Sequence, residues 1–549
     1  MSDNLFPTLL SPLQVGSVVL KNRIFSSGHD TVMVHDGAVT DQFVEYHRAR
    51  AAGGTGLIIL QVAGIHETAR YTSHVLMATD DDCIPGYRRV AEAVHEHGCR
   101  LFGQIFHPGR EIMESGDGAL PVAYAPSAVP NERFRVMPRP MSQAMIAEVV
   151  AGYAAGAQRL QRAGLDGVEI VASHGYLPAQ FLNPTVNLRT DEYGGDLENR
   201  VRFLREIIAA VRAAVGSDFA VGVRLSGDER SSQQDEPTEI LDVCRMLDAD
   251  GGLDYLDITE GTSASRSGSL HIVPPMSEEA AYTAPTAGRI RAAVSIPVFV
   301  AGRINQPHEA ETVLAAGHAD ACAMTRALIC DPDMPAKSIA QRPDDVRACI
   351  GCNQACIGHF QNGYPISCIQ RPETGREREF ATLTITPKPK DVMVVGGGPA
   401  GMKAAVAASQ RGHRVTLHEA SGRVGGQVRL AERLPGRAEF GGAITNLESE
   451  IDRYGVVVKT RHEVDLDYIR QDRPDHVIVA TGARPYRPDL ELDGDMPVLD
   501  ACDVIGANGD NTPKGHVVVA DWRGDWTGLG VAEMVARLGR KVTLCVNGY

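Results

Sequence analysis

Cys349-Ile-Gly-Cys352-Asn-Gln-Ala-Cys356, followed by Cys368 in Pro365-Ile-Ser-Cys368, brings four thiols close enough along the chain to converge on one centre. Four thiolates suit an iron–sulfur cluster or a zinc ion. The run lies between a long stretch of alternating strand-like and helix-like segments and a Gly-rich turn. A cluster there has a physical use as an electron relay, which a redox-inert zinc lacks. The Gly-rich turn is Gly396-Gly397-Gly398-Pro399-Ala400-Gly401, after the apolar run VMVV and before a helical pattern. In that context the first glycine makes the tight turn, the second admits a pyrophosphate and the third lets helix and strand pack. Glu419 ends the next strand-like run at the distance of a ribose 2′-OH acceptor.

Other candidates end apolar runs in the first 330 residues. Gln104 in LFGQIFHPGR offers an amide to a flavin ring edge, and Arg224 in VGVRLSG a fixed cation for a reduced flavin. Gly302-Arg303 and Thr325-Arg326 close two later runs and read as a phosphate-binding corner. His174-Gly175-Tyr176 follows another run. Tyrosine stays protonated at neutral pH and can protonate a substrate carbanion, while His174 can hold a substrate oxygen as negative charge develops. His107 and the loop from Arg189 through Gly195 to Arg200 read as structural.

The elements that must position these residues follow from periodicity. Eight strand-like runs, 23–28, 56–64, 99–107, 167–173, 219–227, 255–261, 297–302 and 320–328, alternate with segments of helical spacing such as 147–163 and 201–215. That pattern predicts a (β/α)8 TIM barrel over 1–335, with its site at the C-terminal strand ends. Residues 336–390, rich in Pro and charge, read as an iron–sulfur segment and linker. Residues 391–505 read as a Rossmann-like FAD- or ADP-binding domain, completed by VGGQ with Gln427 and by VIVATGARP. Residues 506–549 read as the start of a second nucleotide-binding unit. In ADWRGDWTGLG, Asp521, Arg523 and Asp525 crowd the place where small residues admit a pyrophosphate, so NAD(P)H binding, adenine binding alone and simple packing all stay open. The last strand-like run comes just before Tyr549, and the expectation is a unit left incomplete.

The chain has 549 residues, 43% of them hydrophobic, and a net charge of −15. The acidic balance argues against a nucleic-acid partner and an anionic membrane surface. No apolar run approaches a bilayer span and no signal peptide is evident. Besides the four clustered cysteines, Cys83, Cys99, Cys244, Cys322, Cys330, Cys502 and Cys545 are scattered and read as buried thiols of a reducing cytoplasm. Oligomerisation stays open.

Taken in order, LFPTLLSPLQVGSVVLKNRI, GQIFHPGR, HGYLPAQFLNPTVNLRTDEYGGDLENR, VFVAGRI and the cysteine run resemble the Old Yellow Enzyme superfamily, in its large iron–sulfur branch with 2,4-dienoyl-CoA reductase and trimethylamine dehydrogenase. The resemblance implies FMN in the barrel, held by Gln104, Arg224, Gly302, Arg303, Thr325 and Arg326. It also implies a 4Fe-4S cluster on Cys349, Cys352, Cys356 and Cys368, then FAD (or ADP) and NAD(P)H in the C-terminal region. Tyr176 falls on the proton donor and His174 on the substrate-orienting residue of enoate reductases. Asp30 stands where the amine dehydrogenase has its flavin-linking cysteine, so the FMN is expected to be non-covalent. That enzyme's aromatic cage is absent from the matching stretches ILQVAGIHE and ITEGTSASRSGS.

The implied activity is NAD(P)H-dependent reduction of an activated C=C bond in a small-molecule substrate, with electrons passing from NAD(P)H through FAD and the cluster to FMN. The alternative is an amine dehydrogenase or N-demethylase that passes electrons outward through the cluster to an electron-transfer flavoprotein. A third reading is a flavin-bearing scaffold without turnover.

Overall fold

The computed structural model describes residues 4–112, 122–231, 239–380, 383–489, 491 and 494–547. The chain divides into two units, Met1–Ala381 and Thr382–Tyr549.

In the first unit, eight parallel strands close on themselves: β1 Ile24–Ser26, β2 Leu57–Gly64, β3 Arg100–Phe106, β4 Gly167–Ala172, β5 Ala220–Asp228, β6 Tyr255–Glu260, β7 Val298–Ala301 and β8 Ala321–Ala323. Neighbours pair in sequence order and β8 returns to β1. The predicted TIM barrel is therefore present. The eighth run is the exception in detail: only 321–323 form strand, because the backbone turns at Met324 and a helix, Thr325–Cys330, begins at once.

Strand residues alternate between two cores. Ile58, Leu60, Leu101, Ile105, Val168 and Val223 face outward among the helices, whose apolar stripes cover them. Two long helices show why the pattern was legible. Ser142 caps Gln143–Arg162 by accepting from the amide of Met145, and Asp196 caps Leu197–Val215 by accepting from that of Asn199.

The barrel interior is layered. An aromatic layer of Phe25, Phe102, Tyr255 and Phe299 fills the lower half, with Tyr255 and Phe299 stacked at 4.6 Å. Gly222 makes room for it, since a Cβ there would lie 2.2 Å from the Tyr255 ring. An antiparallel hairpin, Leu13–Val15 with Val18–Leu20, packs its buried Val15, Val18 and Leu20 into the same cluster.

Residues beyond the barrel stay with it. The cysteine run and the short helices Ile357–Gln361 and Glu377–Phe380 belong to the first unit. The anchor is buried: Arg50 Nη1 donates to Glu377 Oε1 at 2.6 Å, with its guanidinium 3.4 Å over the Tyr46 ring.

The second unit holds a parallel four-stranded sheet in the order Val457–Thr460, Arg414–Glu419, Asp391–Val395, His476–Val479. Helices Pro399–Gln410 and Phe440–Arg453 cover it through Met402, Ala405, Val406, Ile444 and Leu447. A separate parallel pair, His516–Asp521 and Lys541–Val546, packs with helix Trp526–Arg537. Among the described residues no helix is long and apolar enough to cross a membrane.

The scattered cysteines differ from expectation in part. Cys99, Cys244, Cys322 and Cys330 are buried, but Cys83 and Cys502 are half-buried and Cys545 is exposed on a strand whose faces are both largely open.

Candidate active site

Above the aromatic layer lies a polar one. Gln104 on β3 stands opposite Glu169 on β4, and Arg224 on β5 opposite Asp257 on β6. Gln104 Nε2 donates to Glu169 Oε1 at 2.7 Å, and the Tyr255 hydroxyl donates to Glu169 Oε2 at 3.1 Å. Arg224 Nε lies 3.5 Å from Asp257 Oδ2 and makes no hydrogen bond. Burial raises the carboxyls of both acids; Glu169, also repelled by Asp257, is pushed up to about 8. Arg224 is therefore buried with Asp257, at 3.5 Å, as its nearest carboxyl group.

On this floor opens a cavity of about 470 Å³, within the range of cofactor sites. Gln104, His174, Tyr176, Arg224, Gly302, Arg303, Thr325 and Arg326 all line it, so the eight residues singled out in the barrel share one space. Gly28 packs against Gln104, where a Cβ would come within 2.3 Å of Oε1. The hydroxyl of Thr325 accepts from the Ser27 amide at 2.9 Å. Arg326 donates to Pro274 O and to Asn353 Oδ1, at 2.6 and 2.8 Å. The unpartnered Arg224 Nε, Gly28 beside Gln104 and the cations Arg303 and Arg326 in the same lining fit a flavin mononucleotide.

His174 sits just past β4 with φ +59°, a left-handed conformation that costs a non-glycine residue energy and marks constrained sites. Its amide donates to Ser226 Oγ at 2.9 Å, its carbonyl accepts from Ser263, and ring Nδ1 has no partner. Burial first, then Arg224, pushes its pKa down to about 3, so the imidazole is neutral. The Tyr176 phenol is pushed up by burial and then by Asp30 and Glu111. It is a protonated donor throughout the physiological range.

Three lining residues, Tyr71, Glu111 and Arg133, carry no role in the sequence reading, and Asp30 enters it only as the counterpart of a flavin-linking cysteine. The Tyr71 hydroxyl donates to Asp30 Oδ2, its ring lies 6.1 Å from that of Tyr176, and Phe106 packs edge-on against both rings. Glu111, pushed up to about 7 by burial, accepts from Ser263 and Asn131, and Arg133 completes that side. Tyr71 lies later in the connection after β2 than the stretch ILQVAGIHE, so the wall is more aromatic than that stretch implied. The signal available was position: each residue follows a barrel strand or lies in a connection above it. His107 matches its structural reading, with Nε2 bonded to Thr68 Oγ1 and Nδ1 accepting from the Gly109 amide.

Next to this cavity, Cys349, Cys352, Cys356 and Cys368 line a second one of about 20 Å³. Among the described residues no group of three or more His, Cys, Asp or Glu side chains is arranged to hold a metal ion. Arg326, Ile329, Asn353 and Cys356 line both cavities. A fifth thiol, Cys330, accepts from Gln370 Nε2 at 3.3 Å, and Gln370 lines the smaller cavity.

In the second unit, Gly396 has φ +108°, and a Cβ on Gly401 would stand 1.9 Å from Gly396 O. Gly398 opens helix Pro399–Gln410 with no neighbouring side chain in its way. Glu419 accepts from the amides of Gly397 and Ser421 at 2.7 and 2.8 Å, and Gln427 Nε2 donates to Ala483 O. The corresponding turn at 521–525 is closed: Asp521 Oδ1 accepts from the amides of Arg523 and Gly524, occupying donors that a phosphate would use.

Comparison with known proteins agrees with this geometry. Residues 390–547 match the pyridine nucleotide-disulphide oxidoreductase family. A metal reductase of Desulforamulus reducens is 39% identical over 90% of this chain and 74% of that protein. An NADH oxidase of Thermoanaerobacter brockii is 36% identical over 98% and 82%, and an N,N-dimethylglycine/sarcosine dehydrogenase of Chromohalobacter salexigens 34% over 99% and 79%. Among solved structures, a 2-naphthoyl-CoA reductase complex superposes with a TM-score of 0.91 at 30% identity, covering 98% of this chain and 83% of that one. Histamine dehydrogenase from Rhizobium sp. 4-9 gives 0.88 at 28%, covering 99% and 80%. With residues 8–345 matching its description, the chain belongs to the NADH:flavin oxidoreductase / NADH oxidase family and is a flavin-dependent oxidoreductase.

Proposed function

We propose that this oxidoreductase is an NAD(P)H-dependent reductase of an activated C=C bond in an enoate, an enone or a 2,4-dienoyl thioester. One observation carries the reading: a neutral His174 and a protonated Tyr176 line the same cavity as the flavin-holding residues. Gln104 and Arg224 hold the ring of FMN, and Gly302, Arg303, Thr325 and Arg326 its phosphate. FMN bound there supplies hydride for the substrate β-carbon. His174 orients the substrate carbonyl by hydrogen bonding, and the Tyr176 hydroxyl delivers a proton to the α-carbon. Cys349, Cys352, Cys356 and Cys368 hold a 4Fe-4S cluster. Gly396, Gly398, Gly401, Glu419 and Gln427 hold FAD (or ADP). The eleven free thiols support a reducing, cytoplasmic setting.

The second reading, amine dehydrogenation or N-demethylation with an electron-transfer flavoprotein as acceptor, has its own support. Asp30 and Glu111 bring two carboxyl groups to the cavity that Tyr176 lines, where an ammonium substrate would find them. Anaerobic titration with NADH and then NADPH decides between the readings. Bleaching of the flavin is expected. Failure to bleach, in protein that dithionite reduces, would overturn the reductase reading.

A further inference from the structure

Glu111, in the connection after β3, is gripped from two other segments. Its Oε2 accepts from Asn131 Nδ2 at 3.0 Å and from the hydroxyl of Ser263, after β6, at 2.8 Å. The side chain is 1% exposed and lines the cavity, yet among the described residues its other oxygen, Oε1, has no hydrogen-bond partner. That oxygen lies beside the proposed catalytic pair: a Cβ on Gly175, between His174 and Tyr176, would stand 3.6 Å from it. A buried acceptor without a donor is costly, so such an atom in a cavity wall points to a ligand that supplies the donor.

The charge of Glu111 is already balanced, unlike its hydrogen bonding. Arg110 Nε stands 3.6 Å from Oε1, too far for a hydrogen bond but close enough to offset the carboxylate, and Arg110 is not part of the cavity lining. A second cation, Arg133, reaches Ser263 O through Nη1 at 3.5 Å. The other carboxyl group in the lining, Asp30, accepts from Tyr71. Two carboxyl groups thus stand against two guanidinium groups. An ammonium added here would bury an excess positive charge, whereas a hydroxyl supplies the missing donor without changing the charge.

We propose that Glu111 Oε1 accepts a hydrogen bond from a neutral hydroxyl on the substrate, so that the cavity selects a hydroxylated enone or enoate over its deoxy counterpart. The inference rests on the reductase reading above and narrows its substrate class. The two oxygens divide the work: Oε2 anchors the side chain and Oε1 reads the substrate. Glutamine at this position would keep its carbonyl oxygen on Asn131 and Ser263 and turn its NH2 toward the substrate, a donor where an acceptor stood.

The test is binding to the oxidised holoenzyme, followed by the shift in flavin absorbance, which needs no turnover. Cyclohexanone and its 2-, 3- and 4-hydroxy derivatives are product analogues that carry the hydroxyl at different distances from the carbonyl. Titrations are run at pH 8, because burial raises the Glu111 carboxyl to about 7. At least one hydroxy ketone should bind wild type about tenfold more tightly than cyclohexanone, the advantage of a hydrogen bond to a charged group. That ratio should fall to near one in Glu111→Gln, and also in Glu111→Asp, which withdraws the carboxylate by one methylene. A wild type without the preference, or a preference that survives in either variant, would overturn the proposal. So would variants that weaken all four ketones equally, as a purely structural residue would. Cyclohexylammonium binding wild type more tightly than every hydroxy ketone would overturn it in favour of a cationic substrate. Reoxidation of the dithionite-reduced holoenzyme by 2-cyclohexen-1-one tests the reductase reading separately. Failure there, with the Glu111-dependent preference intact, removes that reading and leaves the hydroxyl contact standing.

Discussion

Single side chains decide what this cavity does to a proton. Tyr176 is held protonated by burial and two neighbouring carboxyl groups, so replacing it removes a donor and leaves the flavin floor intact. Tyr176→Phe should slow reoxidation by an enone about 100-fold, within the range for general acids, while flavin reduction by NAD(P)H is unchanged. Stopped-flow traces of the two half-reactions check this. Gln104 and Arg224 could be singled out because they lie in the later half of strand-like runs, and His174 and Tyr176 because they follow one, which is the end at which a barrel gathers its site. Asp30, Tyr71, Glu111 and Arg133 could not. They lie in connections, where no periodicity says which side chains turn inward, and only the closed barrel brings Asp30 to Tyr71. His174 adds a cost that residue type does not announce: its left-handed backbone is held by Ser226 and Ser263.

At the scale of elements, the glycine turns and the cysteine loop carry the argument. Gly401→Ala would drive a Cβ against Gly396 O, a backbone atom that cannot swing aside. The expected outcome is loss of FAD with barrel flavin retained, measured as flavin released per chain by chromatography. Cys352→Ser should remove iron and the broad cluster absorbance while leaving FMN in the barrel; unchanged iron content would refute the cluster. Seven of the eight predicted strand runs match observed strands to within a residue or two at each end, because buried parallel strands read as continuous apolar runs. The eighth misled because Met324 and the apolar first turn of helix Thr325–Cys330 extend the same apolar stretch beyond the strand.

Across the whole first unit, the segment after the barrel is tied back by a buried charge. Arg50 is 1% exposed and Glu377 4%. Glu377→Ala leaves a buried guanidinium without its counter-charge and should destabilise the unit by about 3–5 kcal/mol, seen as a lower denaturation midpoint. The cysteine loop that this anchor holds is also a wall of the flavin cavity, through Asn353, Cys356, Ile357, Phe360 and Ile366. The loop thus closes the flavin cavity from outside the barrel, and a change in its packing can reach the flavin without moving a single barrel strand.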